Sequence, residues 1–356
     1  MTADPAGLRL AALATWLGEA SISDGGPLTA DLLAGGRSNV SYRVRDSSGA
    51  DLVVRRPPLG HVMPTAHDMS REFRVMRGLN QVGYPTPQAR ALCQDDTVIG
   101  APFMVMDFVA GRVVNDADDT ASLQPATCAD MSAELVRTLA TLHQLDPSAA
   151  GLDTLGKPAG YLQRQVRRWG EQWQLSATRE LPDIERVHAW LAQHVDDLPA
   201  DLPSGIVHGD YRIDNVIWHP TDSRIVAVVD WEMATIGDPV SDLAIALVYW
   251  SQAGDTLRAL VPVAEHITEA PGFWDRGRIA SQYASLTGWD LAHLDFCVVL
   301  ACFKLAVIME SIHKRNLAGQ QLGAAGGADG RMGQATVALT SLALATMEAG
   351  AAALSS

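Results

Sequence analysis

The sequence predicts an α+β chain in two lobes, a small β-rich one followed by a larger, mainly helical one. Three observations carry this. Residues 32–56 read as a strand, a turn and a return strand, with apolar positions alternating at period two. From about residue 125 the apolar positions recur instead at helical spacing through most of the remaining chain. The exception is 206–230, where two short β-branched runs flank a polar loop. The expected division is 1–108 for the β-rich lobe and 109–356 for the helical one.

The elements follow in order. Residues 8–20 have helical spacing. Gly35-Gly36 opens a turn, after which Val40, Tyr42 and Val44 alternate with polar neighbours as a strand does. Ser47-Ser48-Gly49 turns the chain into Leu52–Arg56, a return strand stopped by Pro57-Pro58. A helix over 64–82 would place Phe73, Met76 and Leu79 on one face, with Gly83 just past its end. The apolar runs 88–94 and 101–109 predict further strands before Gly111. Helices are expected over 126–145, 158–175 and 182–198, then over 240–253, 275–287 and 290–315. A Gly/Ala-rich linker, 318–330, precedes a last amphipathic stretch at 332–348.

Composition narrows the class. With 47% hydrophobic and 19% charged residues in 356, the chain has ample core and is globular rather than disordered. Its 27 basic and 41 acidic residues give a net charge of −14, which argues against a nucleic-acid or anionic-membrane surface. Cys93, Cys128, Cys297 and Cys302 form no CxxC pair and read as reduced core residues of a cytoplasmic protein. The start, MTADPAG, carries acid where a signal peptide needs base. The apolar run Phe296–Met309 is interrupted by Lys304 and, read by length, is a buried helix rather than a membrane span.

The densest polar signal is His208-Gly209-Asp210-Tyr211-Arg212-Ile213-Asp214-Asn215, followed by Val228-Val229-Asp230-Trp231-Glu232. Phosphoryl transfer needs a carboxylate to accept the proton of an attacking hydroxyl and oxygen ligands to hold Mg²⁺ against the phosphates. An Asp and an Asn five positions apart in one loop, with a second Asp ending the next strand, supply those groups, and buried strands on either side keep the loop still.

These residues resemble a known family. HGDxxxxN, followed twenty residues after its Asp by a strand-ending Asp, looks like the signature of the aminoglycoside phosphotransferases, relatives of the protein kinases. The continuation DWEMA … GDP … DLA also matches, and the resemblance runs over roughly 30–315. It implies a bilobal, protein-kinase-like fold and a kinase using ATP and Mg²⁺. By the same resemblance Asp210 is the catalytic base, Asn215 a Mg²⁺ ligand and Asp230 the main Mg²⁺ ligand. Asp238 and Asp242 are expected to be structural, Asp238 as the cap of the helix at 240. His208 is expected to support the loop.

The resemblance extends to the small lobe. Leu33-Ala34-Gly35-Gly36-Arg37-Ser38-Asn39 is similar to the family's GGxSN form of the glycine-rich loop, which puts Gly36, Ser38 and Asn39 at the nucleotide phosphates. The family then expects a return-strand lysine paired to a helix glutamate. Glu72 fits, but the strand reads Leu52-Val53-Val54-Arg55-Arg56 and offers Arg55 in place of lysine. Arg55 is the candidate for the lysine's place; the alternative is that Arg55 and Arg56 are only solvated edge charges. Met104-Val105-Met106-Asp107-Phe108-Val109 looks like the hinge, with backbone groups near Asp107 and Val109 for adenine; its methionines also read as core filling.

Arg212 has two open readings: it stabilises charge on the transferred phosphate or an anionic acceptor, or it pairs with Asp214 or Asp242 to brace the loop. The acceptor, a small molecule bearing a hydroxyl group, is expected among the helices after Asp238, near Tyr283, Trp289 and Asp290. Acidic residues there are scattered and form no anionic clamp for an amino sugar. The strings GGRSN, RRPP, HGDYRxDN and DWEMATIGDP resemble a subgroup associated with acyl-CoA dehydrogenases, which implies a hydroxyacyl-CoA or hydroxy acid as acceptor. An aminoglycoside or other small alcohol, a nucleotide-binding pseudokinase without turnover, and a metal-dependent hydrolase are the alternatives.

Overall fold

The computed structural model describes residues 4–33, 39–59, 68–263, 265–319 and 330–350. They form two compact units, one combining residues up to 110 with the segment 226–232, the other 111–225 with 233 onward.

In the first unit, α1 (Leu10–Glu19) precedes β1 (Thr29–Leu32), β2 (Val40–Arg45) and β3 (Asp51–Arg56), and α2 (Met69–Gln81) precedes β4 (Ala89–Cys93) and β5 (Phe103–Asp107). The strands make one sheet in the order β1-β2-β3-β5-β4, each neighbouring pair antiparallel. Tyr42, Val44, Leu52, Val54, Phe103 and Val105 form one core with Leu13 and Leu17 of α1. Alternation along a strand turns Arg55 to the face opposite Val54. As β3 is the central strand, Arg55 is fixed between Ser41 of β2 and Met104 of β5. Helix α2 begins at Asp68, whose side chain accepts from the N–H groups of Ser70 and Arg71 at 2.9 and 3.1 Å. Its buried stripe, Glu72, Met76 and Leu79, has helical spacing with a carboxylate in it.

The second unit contains α3 (Asp118–Ala121), α4 (Pro125–Gln144), α5 (Tyr161–Ser176) and α6 (Pro182–His194), then β6 (Gly205–Val207) and β7 (Val216–Trp218). Strand β8 (Ile225–Val228) starts in this unit and runs into the 226–232 segment. After it come β9 (Thr235–Gly237), α7 (Pro239–Tyr249), α8 (Arg276–Thr287), α9 (Leu294–Leu317) and α10 (Arg331–Ala349). Strands β6 and β9 pair antiparallel, Gly205 opposite Gly237. Helix α9 is the hub, in contact with α5, α6, α7 and α10. At 24 residues it is longer than the run read from sequence and is long and apolar enough to cross a membrane, but 78% of its apolar window is buried within the protein. Burial, rather than shortness, identifies it as a core helix. Strands β1, β7 and β9 span three or four residues each and gave no periodicity to read. All four cysteines are buried and free.

Candidate active site

The first unit gathers three carboxylates on one guanidinium. Arg55 Nε donates to Glu72 Oε2 at 3.1 Å, and its Nη2 lies 2.5 Å from Asp230 Oδ1 and 4.0 Å from Glu232 Oε2. Glu72 is 2% exposed. Burial pushes its carboxyl up to about 7, with Arg55 opposing and Asp230 adding to the rise. For Arg55 burial disfavours the charge, but Glu72, Asp230 and Glu232 outweigh it and raise the pKa. Arg55 is therefore not an edge charge. Neither is Arg56, buried and donating to the Gly7, Pro57 and Ile99 carbonyls. Asp230 has φ +68, a left-handed conformation that Asp tolerates better than most residues and that is commonest at functional sites.

Asn39 joins this cluster, its Nδ2 donating to Glu232 Oε2 at 3.1 Å. Its Oδ1 is buried and has no hydrogen-bond partner among the described residues. Gly36 and Ser38 lie outside the described residues. Asp107 ends β5, its N–H donating to the Gln88 carbonyl at 3.0 Å and its carboxylate held by Arg90 at 2.6 Å. Val109 follows, half-buried, in the irregular stretch after β5. Met104 and Met106 are buried in the sheet.

In the second unit the loop between β6 and β7 carries Asp210. Asp242, at the first turn of α7, receives the N–H groups of His208 at 2.6 Å and Gly209 at 2.8 Å, and His143 Nε2 at 3.1 Å. Burial alone would raise the Asp242 carboxyl, yet these partners hold it below 3.8. Gly209 has φ +82, and a Cβ there would stand 2.8 Å from the Met233 carbonyl oxygen, so only glycine fits. His208 is fully buried and its Nδ1 accepts from the Asp210 N–H at 3.2 Å. Both Asp242 and His208 thus brace the loop. Asp238 caps α7 through the Val240 N–H at 2.8 Å, and it meets His293 Nε2 at the same distance.

Three side chains converge on Asp210. Asn215 Nδ2 donates to its carbonyl at 2.9 Å and to Oδ2 at 3.2 Å. Arg212 Nε donates to Oδ2 at 3.1 Å, while Nη1 holds Asp214. Tyr249 also adjoins Asp210: burial first, and then the Asp210 carboxylate, raise its pKa, and its ring lies 5.5 Å from the Arg212 guanidinium carbon. Of the partners read for Arg212, Asp214 is present, and Asp210 itself is the second.

The sequence reading missed Tyr249 and the support given by Lys304. Lys304, on α9, is buried and donates to the Gly209 carbonyl at 2.6 Å, and burial lowers its pKa. Its signal was a charge interrupting an apolar helix, which in a core must face a polar partner. Tyr283, expected beside the acceptor, is instead fully buried, its hydroxyl 2.7 Å from His143 Nδ1. It belongs to the scaffold behind Asp242. Asp290 caps its own turn through the Ala292 N–H at 2.9 Å.

The oxygen ligands in each unit suit a hard divalent cation. Within the first unit Glu72, Asp230 and Glu232 offer carboxylate oxygens, and within the second Asp210 and Asn215 offer theirs, the type of ligand Mg²⁺ prefers. Glu72, Asp230 and Glu232 outnumber the single guanidinium of Arg55, and the buried Asn39 Oδ1 has an unused acceptor.

The phosphotransferase enzyme family matches residues 29–280. Acyl-CoA dehydrogenase family member 11 of Rattus norvegicus is 36% identical over 296 residues, 82% of this chain but 37% of that protein, so the chain spans little more than a third of that relative. Viomycin phosphotransferase of Streptomyces vinaceus is 30% identical over 179 residues, 48% of this chain and 58% of that one. A solved Ralstonia eutropha structure, assigned as an aminoglycoside phosphotransferase, superposes with TM-score 0.78 at 32% identity, covering 95% of this chain and 98% of that one. With its family match over most of its length and its protein-kinase-like α+β fold, the chain belongs to the phosphotransferase enzyme (APH) family.

Proposed function

We propose that this chain is a Mg-ATP-dependent kinase that phosphorylates a hydroxyl group of a small molecule, and that its acceptor is a hydroxyacyl-CoA or a hydroxy acid. The observation that carries the reading is the Asp210 carboxylate, oriented by Arg212 and Asn215 beside Tyr249 on a loop fastened through Gly209. Asp210 takes the proton of the acceptor hydroxyl. The acceptor oxygen then bonds to the γ-phosphorus, the bond to the β–γ bridging oxygen breaks, and ADP leaves with that electron pair. Asn215 and Asp230 would hold Mg²⁺, which would supply charge neutralisation at the phosphates. Arg55, aimed by Glu72, grips the phosphates, and Arg212 stabilises the transferring group. Residues 1–108 bind the nucleotide, with Gly36, Ser38 and Asn39 at its phosphates and the backbone near Asp107 and Val109 at adenine. Residues 109–356 carry the catalytic loop and the acceptor. The four buried free thiols suit a reducing, cytoplasmic setting.

The acyl-group reading is supported by relatives named as acyl-CoA dehydrogenase family members and by a hydrocarbon-walled cavity beside Arg212. A second reading, a nucleotide-binding module without turnover, draws on Arg55 standing where lysine is usual and contacting Asp230 directly. The test is Mg-ATP turnover across hydroxyacyl-CoAs, hydroxy acids, small alcohols and aminoglycosides, beside Asp210→Ala. Phosphorylated acceptor, with kcat reduced roughly 10²–10⁴-fold in the variant, is the expected result. Nucleotide binding without any phosphorylated acceptor would transfer support to the second reading.

A further inference from the structure

Within the second unit a narrow cavity of about 30 Å³ lies between α4, α7 and α8, and its walls are hydrocarbon, Leu139, Leu243 and Ile279 among them. Those residues are buried, whereas three lining residues reach solvent: Arg212, Ala246 and Tyr249. These three form the mouth. Arg212 hydrogen-bonds the Asp210 carboxylate and Tyr249 adjoins it, so the opening of the cavity and the carboxylate share their side chains. Among the described lining residues Arg212 alone carries a formal charge, and it points its Nε and Nη1 at Asp210 and Asp214.

An apolar cavity with a polar rim takes a molecule whose polar end stays at the rim and whose apolar end goes inside. A poly-hydroxylated or polycationic molecule is refused by such walls, because each buried polar group would lack a partner. Building on the phosphotransferase reading, we propose that this cavity is an alkyl subsite: it takes the first carbon or two of the hydrocarbon tail of an acceptor whose hydroxyl stands at the Arg212–Tyr249 rim beside Asp210. Tail length then governs acceptor affinity, by about fourfold per buried methylene until the cavity is full. Ala246 decides how wide the entrance is, since a larger side chain on that turn of α7 would close it.

The test uses the full chain with Mg-ATP and a homologous series of straight-chain hydroxy acids whose tail beyond the hydroxyl is lengthened from methyl to hexyl. The expected result is an acceptor KM that falls over the first carbon or two of tail and is level beyond, with kcat and the KM for ATP nearly constant. Ala246→Trp should flatten that dependence, and Leu139→Ala should move the plateau to a longer tail; thermal melting checks that each variant is folded. An acceptor KM independent of tail length, and unchanged in either folded variant, overturns the subsite while leaving the kinase reading intact. Should no acceptor be phosphorylated, calorimetry with the corresponding unhydroxylated carboxylates separates the two ideas. Binding that tightens with tail length and is lost in Ala246→Trp upholds the subsite and counts against the kinase reading; no such binding overturns the subsite.

Discussion

Arg55 Nη2 reaches Asp230 Oδ1 at 2.5 Å across 175 positions of sequence. The same guanidinium turns its Nε to Glu72, so one fork joins the central strand, helix α2 and the segment after β8. A lysine at this position would present a single ammonium rather than two separately directed N–H groups. The substitution of arginine for lysine is thus matched by a second carboxylate contact.

Removing that guanidinium should be expensive. Arg55→Ala leaves Glu72, buried to 2% exposure, without its cation, and loss of one partner of a buried pair costs about 3–5 kcal/mol. Adding Glu72→Gln to the same background should recover part of this, because no buried carboxylate then remains uncompensated in α2. Urea unfolding of the two single variants, the double variant and the parent closes the cycle. Independent, additive losses would show that the pair is not coupled.

Acid should weaken the fold through Asp242. Its folded-state pKa lies below the ordinary 3.8, so ionised Asp242 is favoured by folding. That stabilisation is fully present above 3.8 and is lost as pH falls below 3.8 through the folded-state value. Asp242→Asn, which has one acceptor oxygen where the two loop N–H groups use separate ones, should cost about 1–3 kcal/mol at neutral pH. The gap between variant and parent should narrow on acidification below 3.8. Denaturation curves over a pH series measure it; a gap that stays constant would assign the lost stability to shape rather than charge.

The sheet, the helices and the carboxylate loop were legible because each is local. Val40, Tyr42 and Val44 alternate, Glu72 falls on the apolar stripe of α2, and Asp210 and Asn215 share one loop. What joins them was not legible. Arg55 meets Asp230, and Lys304 meets Gly209, through contacts 175 and 95 positions apart, and no spacing rule spans such distances. Tyr249 ends an apolar helix and reads as core, and only packing brings it to Asp210. Tyr283 misled for the opposite reason: an aromatic among helices looked like a pocket wall, yet its hydroxyl is consumed by His143.

Gly209 fixes where Asp210 stands. With φ +82 and the Met233 carbonyl oxygen 2.8 Å from where a Cβ would sit, Gly209→Ala must move the loop or strain it. The expected cost is about 1–3 kcal/mol, the usual scale for a side chain forced into the left-handed region. Turnover should fall more steeply than stability, since Asp210 is the next residue. Melting temperature and kcat on the same preparation test this, and full activity in a melted-down variant would contradict it.

Lys304 places a cation in the core of the helical unit for the sake of one carbonyl. Its ammonium donates to Gly209 O at 2.6 Å and lies 5.7 Å from the Trp169 ring, and burial has already lowered its pKa. Lys304→Met keeps the volume and the hydrophobic stem but leaves the Gly209 carbonyl without this donor, a loss of about 1–3 kcal/mol. Part of that loss should be offset, because the variant no longer buries a charge. Stability should therefore change little, while kcat drops as the Asp210 loop loses its anchor from below. Urea unfolding beside steady-state turnover separates the two effects. A large loss of stability with unchanged kcat would make Lys304 a packing residue and leave the loop braced by Asp242 and His208.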